Sequence, residues 1–235
     1  MRRFSIGIVA AITFFTPMQA QSAQIAQSAV TVGGAQAALL VPPKPRASLV
    51  LMTGGNGYLS IAGDGSIGRG AGNQLVRTRE SYARMGFAVL VPTNGVDLAA
   101  AVAYMSKIRR PVTIVGTSRG TQRAARGIAA GARPDKLILT SGFLSDESGD
   151  HDNVMRILGS PSALPRTLVI ENRKDACRLT APAGVVPFVK WSAGRAHVVW
   201  LNGGVSQGRD CGARAYHGFN GLDARVVSIV AGFAR

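Results

Sequence analysis

The chain has 235 residues, 46% of them hydrophobic, and its 27 Lys and Arg residues against 12 Asp and Glu give a formal net charge of +15. This length and hydrophobic content exclude an intrinsically disordered protein and fit one domain with a large core. The basic residues are scattered singly and aromatic residues make up only 6%. We therefore expect a solvated basic surface, suited to anionic substrates, rather than a nucleic-acid partner.

The N-terminus predicts a secretory signal peptide at residues 1–20. Arg2 and Arg3 precede an apolar stretch at residues 6–15, and Ala20 supplies the small residue at which a signal peptidase cuts. The alternative is an uncleaved membrane anchor, but the stretch is too short to cross a bilayer core of about 30 Å. We therefore expect a secreted or periplasmic protein without a membrane span in its mature form.

After a polar lead at residues 21–28, strands and helices alternate along a single predicted domain, residues 29–235. Residues 29–32 and 35–41 flank a Gly-Gly pair and predict a β-hairpin. The further predicted elements are strand 48–52, helix 73–85, strand 87–91, helix 96–107, strand 112–115, helix 121–130, strand 136–140, strand 167–170, strand 197–201 and helix 222–233. This order predicts an α/β fold with a mainly parallel sheet covered by helices on both faces.

Ser118 is the strongest candidate for a catalytic residue. It stands at the centre of a G-x-S-x-G motif, residues 116–120, between a predicted strand and a predicted helix. In a nucleophile elbow the serine lies on a strained strand-to-helix turn, and the positions two before and two after it are glycines because side chains there would clash. The turn also brings the amide of Arg119 to a helix N-terminus, where it points to a developing oxyanion.

A serine nucleophile needs a base, and the chain has three histidines. His217 is the preferred base because it lies after the last strand and before the final helix, in a loop at the same sheet edge as Ser118. The alternative for this residue is a plain surface-loop histidine. His197 begins a strand and is interpreted as structural. His151 lies in an acidic loop, where it would contact substrate or cap a short helix.

Asp175 is the preferred carboxylate to orient that base. It follows the carboxyl end of predicted strand 167–170, where the sites of parallel sheets gather. An ion pair with Arg173 or Lys174 is the alternative role for this carboxylate. Glu171 is the substitute acid if the strand ends earlier.

Cys177 and Cys211 are the two cysteines of the chain. An exported protein with an even cysteine count and no C-x-x-C pattern predicts one disulfide, with two buried free thiols as the alternative. This bridge would tie the loop of Asp175 to the loop of His217. A link that closes a loop of this size stabilises a protein by roughly 3–4 kcal/mol in the chain-entropy estimate.

The sequence predicts no cofactor and no metal. Residues 63–68 match G-x-G-x-x-G, but no convincing strand precedes them and no acidic residue closes a second strand about 20 residues later. A G-x-x-x-x-G-K-[ST] phosphate loop and a His/Cys/Asp cluster with metal-ligand spacing are both absent from the sequence. A dinucleotide site at residues 63–68 is therefore disfavoured.

The sequence resembles the α/β-hydrolase family. The resemblance is carried by the motif at 116–120, the glycine-rich loop at 53–57, Asp175 and the segment 217–219, and it covers roughly residues 30–233. It implies a sheet of about eight strands with the second antiparallel, the chain order Ser, Asp, His, and cleavage of an ester or amide bond in a small-molecule substrate.

The same resemblance implies an oxyanion hole made by the amide of Arg119 and an amide of the glycine-rich loop. Gly55 and Asn56 are the candidates for the second amide; the lipase-type pattern differs in placing a histidine before such glycines. Residues 142–165, where this family often inserts a lid, have room for only one short helix, so we expect an open site. The alternatives are a secreted binding protein that has lost catalysis, or peptidase, thioesterase, lipase or acyltransferase activity.

Overall fold

A computed structural model describes Met1 and residues 24–235. The predicted signal peptide, with its arginines, its apolar stretch and Ala20, lies outside the described residues apart from Met1. In this described part of the chain, eight strands form one sheet in the order β1-β2-β4-β3-β5-β6-β7-β8. Their bounds are β1 Ala26–Val32, β2 Ala35–Val41, β3 Ala47–Met52, β4 Phe87–Pro92, β5 Val112–Thr117, β6 Lys136–Thr140, β7 Arg166–Asn172 and β8 Ala196–Leu201.

Strand β2 is the one antiparallel member of the sheet. It pairs antiparallel with β1 and with β4, and every other neighbouring pair is parallel. The predicted hairpin and antiparallel second strand are therefore confirmed. Strand β1 begins at Ala26, inside the predicted polar lead, because it pairs with β2 along its whole length and, as an edge strand, leaves Gln27 and Ser28 exposed. Polar composition alone does not reveal this extension.

Within residues 24–235, six α-helices cover both faces of the sheet. They are α1 Gln74–Arg84, α2 Leu98–Ile108, α3 Arg119–Ala129, α4 Val154–Leu158, α5 Val185–Trp191 and α6 Asp223–Ala234. Buried side chains of α1 and α6 pack on one face of the sheet, and those of α2, α3, α4 and α5 pack on the other. Strands β3, β4 and β5 are buried along their whole length, as expected for parallel strands between two helical layers.

Three segments between the strands bear on the predictions. The predicted room for one short helix within residues 142–165 is filled by α4, which has five residues. Helix α5 was not predicted, because Pro187 interrupts its sequence pattern. The G-x-G-x-x-G match lies in the connection from β3 to α1, where Ile61 and Ile67 form an isolated antiparallel bridge. Within residues 24–235, no helix combines the length and apolar character needed to span a bilayer.

Candidate active site

Ser118 lies on the turn between β5 and α3 with φ 51° and ψ −127°. A positive φ is uncommon for a residue with a side chain, and its amide is held in this turn by donating to the carbonyl of Thr140, 3.0 Å away. A Cβ on Gly116 would lie 2.8 Å from the carbonyl oxygen of Gly120, and one on Gly120 would collide with the carbonyl of Met52. The two glycines of the motif are therefore required by close backbone approach.

His217 and Asp175 are joined directly. The Nδ1 atom of His217 lies 2.9 Å from Oδ2 of Asp175, and their side chains are 5% and 0% exposed. Thr180, which sequence reasoning missed, places its Oγ1 3.0 Å from the same Nδ1 and 3.5 Å from Asp175 Oδ2. A buried carboxylate at Nδ1 favours the imidazole tautomer whose Nε2 is free to accept a proton.

The other carboxylate oxygen of Asp175 accepts the amide N–H of Cys177 at 2.9 Å. The alternative partners do not compete for this carboxylate, because Arg173 lies over the ring of Trp200 and Lys174 over the ring of Tyr216, at 4.7 and 5.5 Å from the ring centres. Asp175 is therefore held between the His217 imidazole and the backbone of its own loop.

Glu171, the substitute acid, lies within β7 and is fully buried. Its Oε1 accepts the N–H of Asn172 at 3.0 Å, and its Oε2 has no partner among the described residues. Burial raises the pKa of Glu171 well above its ordinary value, and the charge of nearby Asp175 raises it further. Burial therefore favours the neutral form of Glu171, and the structure places Asp175, not Glu171, against the imidazole.

The backbone of His217 is fixed as well as its ring. His217 lies in a 3₁₀ turn before α6, and its carbonyl oxygen accepts a hydrogen bond from the hydroxyl of Ser141 at 2.8 Å.

The other two histidines lie elsewhere. His151 has a side chain that is 85% exposed and faces Asp146 at 3.4 Å, and His197 is an exposed residue near the start of β8. Neither lines the cavity that contains His217.

A cavity of about 330 Å³ brings the predicted nucleophile and base together. It is lined by Gly54, Gly55, Gly70, Gly72, Asn73, Gln74, Thr117, Ser118, Cys211, Ala213, His217 and Gly218. Gly54 packs on the nucleophile, since a Cβ there would lie 3.2 Å from the Cβ of Ser118 and 3.4 Å from Nδ2 of Asn73. The contribution of Asn73 and Gln74 was missed, because the sequence shows them only as the start of a helix.

The oxyanion-hole candidates occupy different positions around this cavity. Arg119 is the first residue of α3, so its amide has no acceptor within the helix. Gly55 lines the cavity with φ +59°. Asn56 is exposed and does not line it; its side-chain oxygen accepts the N–H of Tyr58 at 3.1 Å. Of the three candidates, Gly55 lines the cavity, Arg119 directly follows the cavity residue Ser118, and Asn56 neither lines the cavity nor adjoins Ser118.

The predicted disulfide is present between Cys177 and Cys211, which are 34 positions apart. Cys177 is buried and donates its amide N–H to Asp175, while Cys211 lines the cavity beside His217. The bridge therefore connects the loop that carries the carboxylate to the rim of the cavity.

Removing this bridge is expected to destabilise the fold. The double variant Cys177→Ser/Cys211→Ser should lose roughly 3–4 kcal/mol of unfolding free energy, because the unfolded chain gains loop entropy. Urea unfolding with and without a thiol reductant measures the effect. The reductant should lower the unfolding midpoint of the wild-type protein and leave that of the double variant unchanged. Equal midpoints for the two proteins without reductant would contradict the expectation.

The described residues contain no group of three or more His, Cys, Asp or Glu side chains placed to hold a metal ion. Ser118 and His217 line the same cavity, and the carboxylate of Asp175 is hydrogen-bonded to the imidazole of His217.

The strand order, the elbow after β5 and the two helical layers define the α/β-hydrolase fold. A Thermus thermophilus protein is similar, at 16% identity over 90% of this chain and 99% of its own, with a TM-score of 0.60. EstE5, in a structure soaked with p-nitrophenyl butyrate, is 14% identical over 90% of this chain and 84% of its own, with a TM-score of 0.60. An esterase of Pyrococcus furiosus is 12% identical over 96% of this chain and 97% of its own, with a TM-score of 0.58.

Comparison of the sequence with protein-family models and with curated proteins gives no match. The likeness to solved structures, at these identities, establishes the fold. The predicted fold class, a mainly parallel eight-stranded α/β-hydrolase sheet, is therefore confirmed. The fold alone does not determine the activity.

Proposed function

We propose that the protein is a serine hydrolase that cleaves carboxylic esters through an acyl-enzyme. One observation carries this proposal: His217 shares a cavity with Ser118 while its Nδ1 lies 2.9 Å from a buried carboxylate of Asp175. Two structural neighbours agree with it, since one is described as an esterase and the other was soaked with an ester. Binding of a ligand alone would not need a buried carboxylate behind the imidazole.

In the first half of the proposed reaction, Oγ of Ser118 attacks the ester carbonyl carbon as Nε2 of His217 accepts the hydroxyl proton. The carbonyl π electrons move to oxygen and form a tetrahedral oxyanion. As this collapses, the C–O bond to the alcohol breaks and His217 gives its proton to the departing oxygen. Asp175 keeps the Nδ1 proton in place and offsets the transient charge of the imidazolium.

In the second half, water replaces the alcohol and repeats the sequence. His217 accepts a proton from water, the hydroxide oxygen attacks the acyl-enzyme carbonyl, and the Ser118 oxygen leaves with that proton. The carboxylic acid is released and the serine is regenerated. The amide of Arg119 and an amide of the Gly54–Gly55 segment are the proposed oxyanion donors; the loss of one such donor typically slows acyl transfer by about 10²–10³-fold.

The cavity favours small, polar substrates. None of its twelve lining residues carries a large aliphatic side chain, a benzene ring or an indole. A long acyl chain would find little apolar surface to bury, so we propose esters with short acyl groups. The formal charge of +15 favours anionic esters among these.

Export is part of the same proposal. The N-terminal pattern of Arg2, Arg3 and a short apolar stretch supports it, and so does a disulfide, which forms and persists in oxidising compartments. The mature protein is proposed to be periplasmic or secreted.

Labelling with a fluorophosphonate tests the proposed function. The reagent should add one phosphonyl group per chain at Ser118, because only a serine activated by a base reacts at neutral pH. Ser118→Ala is the control and should remain unlabelled. Intact mass of protein recovered from the producing cells also reports whether the chain begins at Gln21. A wild-type protein that takes up no label would favour a binding protein on the same fold.

A further inference from the structure

Arg77 has an unusual number of hydrogen bonds for a residue that lies outside the cavity. It is on α1, one turn after the helix begins, and its side chain is 22% exposed. Its Nε and Nη2 donate to the two carboxylate oxygens of Asp223, at 2.8 Å each. Its other bonds run to backbone carbonyls, so the guanidinium joins elements that are far apart in the chain.

The carbonyl acceptors belong to both walls of the catalytic cavity. Nη1 of Arg77 donates to Gly72 at 2.8 Å and to Ala213 at 3.1 Å, and Nη2 donates to Gly218 at 2.7 Å. All three acceptor residues line the cavity that contains Ser118 and His217. Gly72 precedes α1 on one wall, whereas Ala213 and Gly218 lie on either side of His217 on the other.

We infer that Arg77 is a positioning residue that holds the imidazole of His217 over the cavity by clamping both walls to the first turn of α6. This inference rests on the proposed function for its catalytic meaning. Gly218 is the residue directly after His217, so a shift of its carbonyl moves the imidazole. Asp223, in the first turn of α6, does not line the cavity and accepts two hydrogen bonds from the guanidinium.

The guanidinium is the one cationic group with enough donors in a fixed plane for this task. Five bonds, two to Asp223 and three to carbonyls, use the fork geometry of arginine. A lysine ammonium at position 77 has three donors and no fixed plane, so it can hold some of these acceptors but not all of them. Arg77→Lys should therefore keep some of the hydrogen bonds that a neutral residue at position 77 would lose.

The test compares Arg77→Met, Arg77→Lys and the control Arg84→Met in steady-state hydrolysis of a short activated ester. Arg77→Met should lower kcat by about 10²-fold, the size expected for an ångström-scale misplacement of a catalytic group, and leave KM nearly unchanged. Arg77→Lys should fall between this variant and the wild type. Arg84 lies at the end of the same helix, is 62% exposed and contacts Glu80 and Ser81 of that helix, so Arg84→Met should behave as wild type.

The NMR signal of the His217 Nδ1 proton gives a readout that does not depend on turnover. It should weaken through faster exchange in Arg77→Met, recover in part in Arg77→Lys and persist in Arg84→Met. If Arg77→Met does not fold, Arg77→Lys tests the inference on its own. A folded Arg77→Lys protein with the kcat of the wild type and an unchanged Nδ1 signal overturns the inference. A wild-type protein that turns over no ester defeats the proposed function, whereas the signal still reports whether Arg77 holds the imidazole.

Discussion

Ser118→Ala is expected to lower kcat for an activated short-chain ester by about 10⁶-fold, the loss typical when the nucleophile of a catalytic triad is removed. The residual rate would come from the oxyanion donors and from substrate binding. The variant should fold, because alanine and serine face the same backbone demand at φ 51°. Among the described residues, the Ser118 hydroxyl caps no helix N–H, so its removal costs little stability.

Ser106→Ala is the matched control for this measurement. Ser106 lies on α2, and its hydroxyl donates to the carbonyl of Val102 at 2.8 Å, away from the cavity. Its loss should leave kcat and KM unchanged. A Ser118→Ala protein with the kcat of the Ser106→Ala control would defeat the assignment of Ser118 as nucleophile.

The sequence predicts the elbow because the physical constraint there is local. Positive φ at Ser118 and the close approach of Gly120 to Met52 leave a signature within five consecutive positions. The pairing of Asp175 with His217 is predictable for a different reason: the carboxyl ends of parallel strands meet at one sheet edge, and both residues follow such ends. The disulfide prediction, which rests on the cysteine count and on the predicted export, is confirmed.

The supporting residues are not predictable in this way. Thr180 and Ser141 contact His217 from positions 37 and 76 residues away, and neither stands in a motif. Arg77 reaches Asp223 across 146 positions, so its role appears only once α1 and α6 are packed on the same face of the sheet. Such contacts are set by tertiary packing, which leaves no periodic trace in the sequence.

Asp175→Asn is expected to lower kcat by about 10⁴-fold, although it changes one atom. The side-chain oxygen of an asparagine would keep the Cys177 N–H that Oδ1 of Asp175 now accepts at 2.9 Å. Its NH₂ group would then face Nδ1 of His217, where Oδ2 now lies. Nδ1 would have to accept rather than donate, so the proton would move to Nε2 and the imidazole could not take a proton from Ser118.

Glu171→Gln is the matched control, since it makes the same chemical change at a buried carboxyl four positions earlier. Glu171 does not contact the imidazole, and burial and the charge of Asp175 shift its pKa towards the neutral form that glutamine mimics, so kcat should change little. When folding raises the pKa of a carboxyl, that carboxyl destabilises the fold once the pH exceeds its pKa in the unfolded chain, because the unfolded chain then loses a proton that the folded protein keeps. Glutamine has no such proton. The unfolding free energy of Glu171→Gln should therefore increase relative to that of the wild type as the pH rises from acidic to alkaline. A 10⁴-fold loss of kcat in Glu171→Gln, with full activity in Asp175→Asn, would instead identify Glu171 as the carboxylate that orients the imidazole.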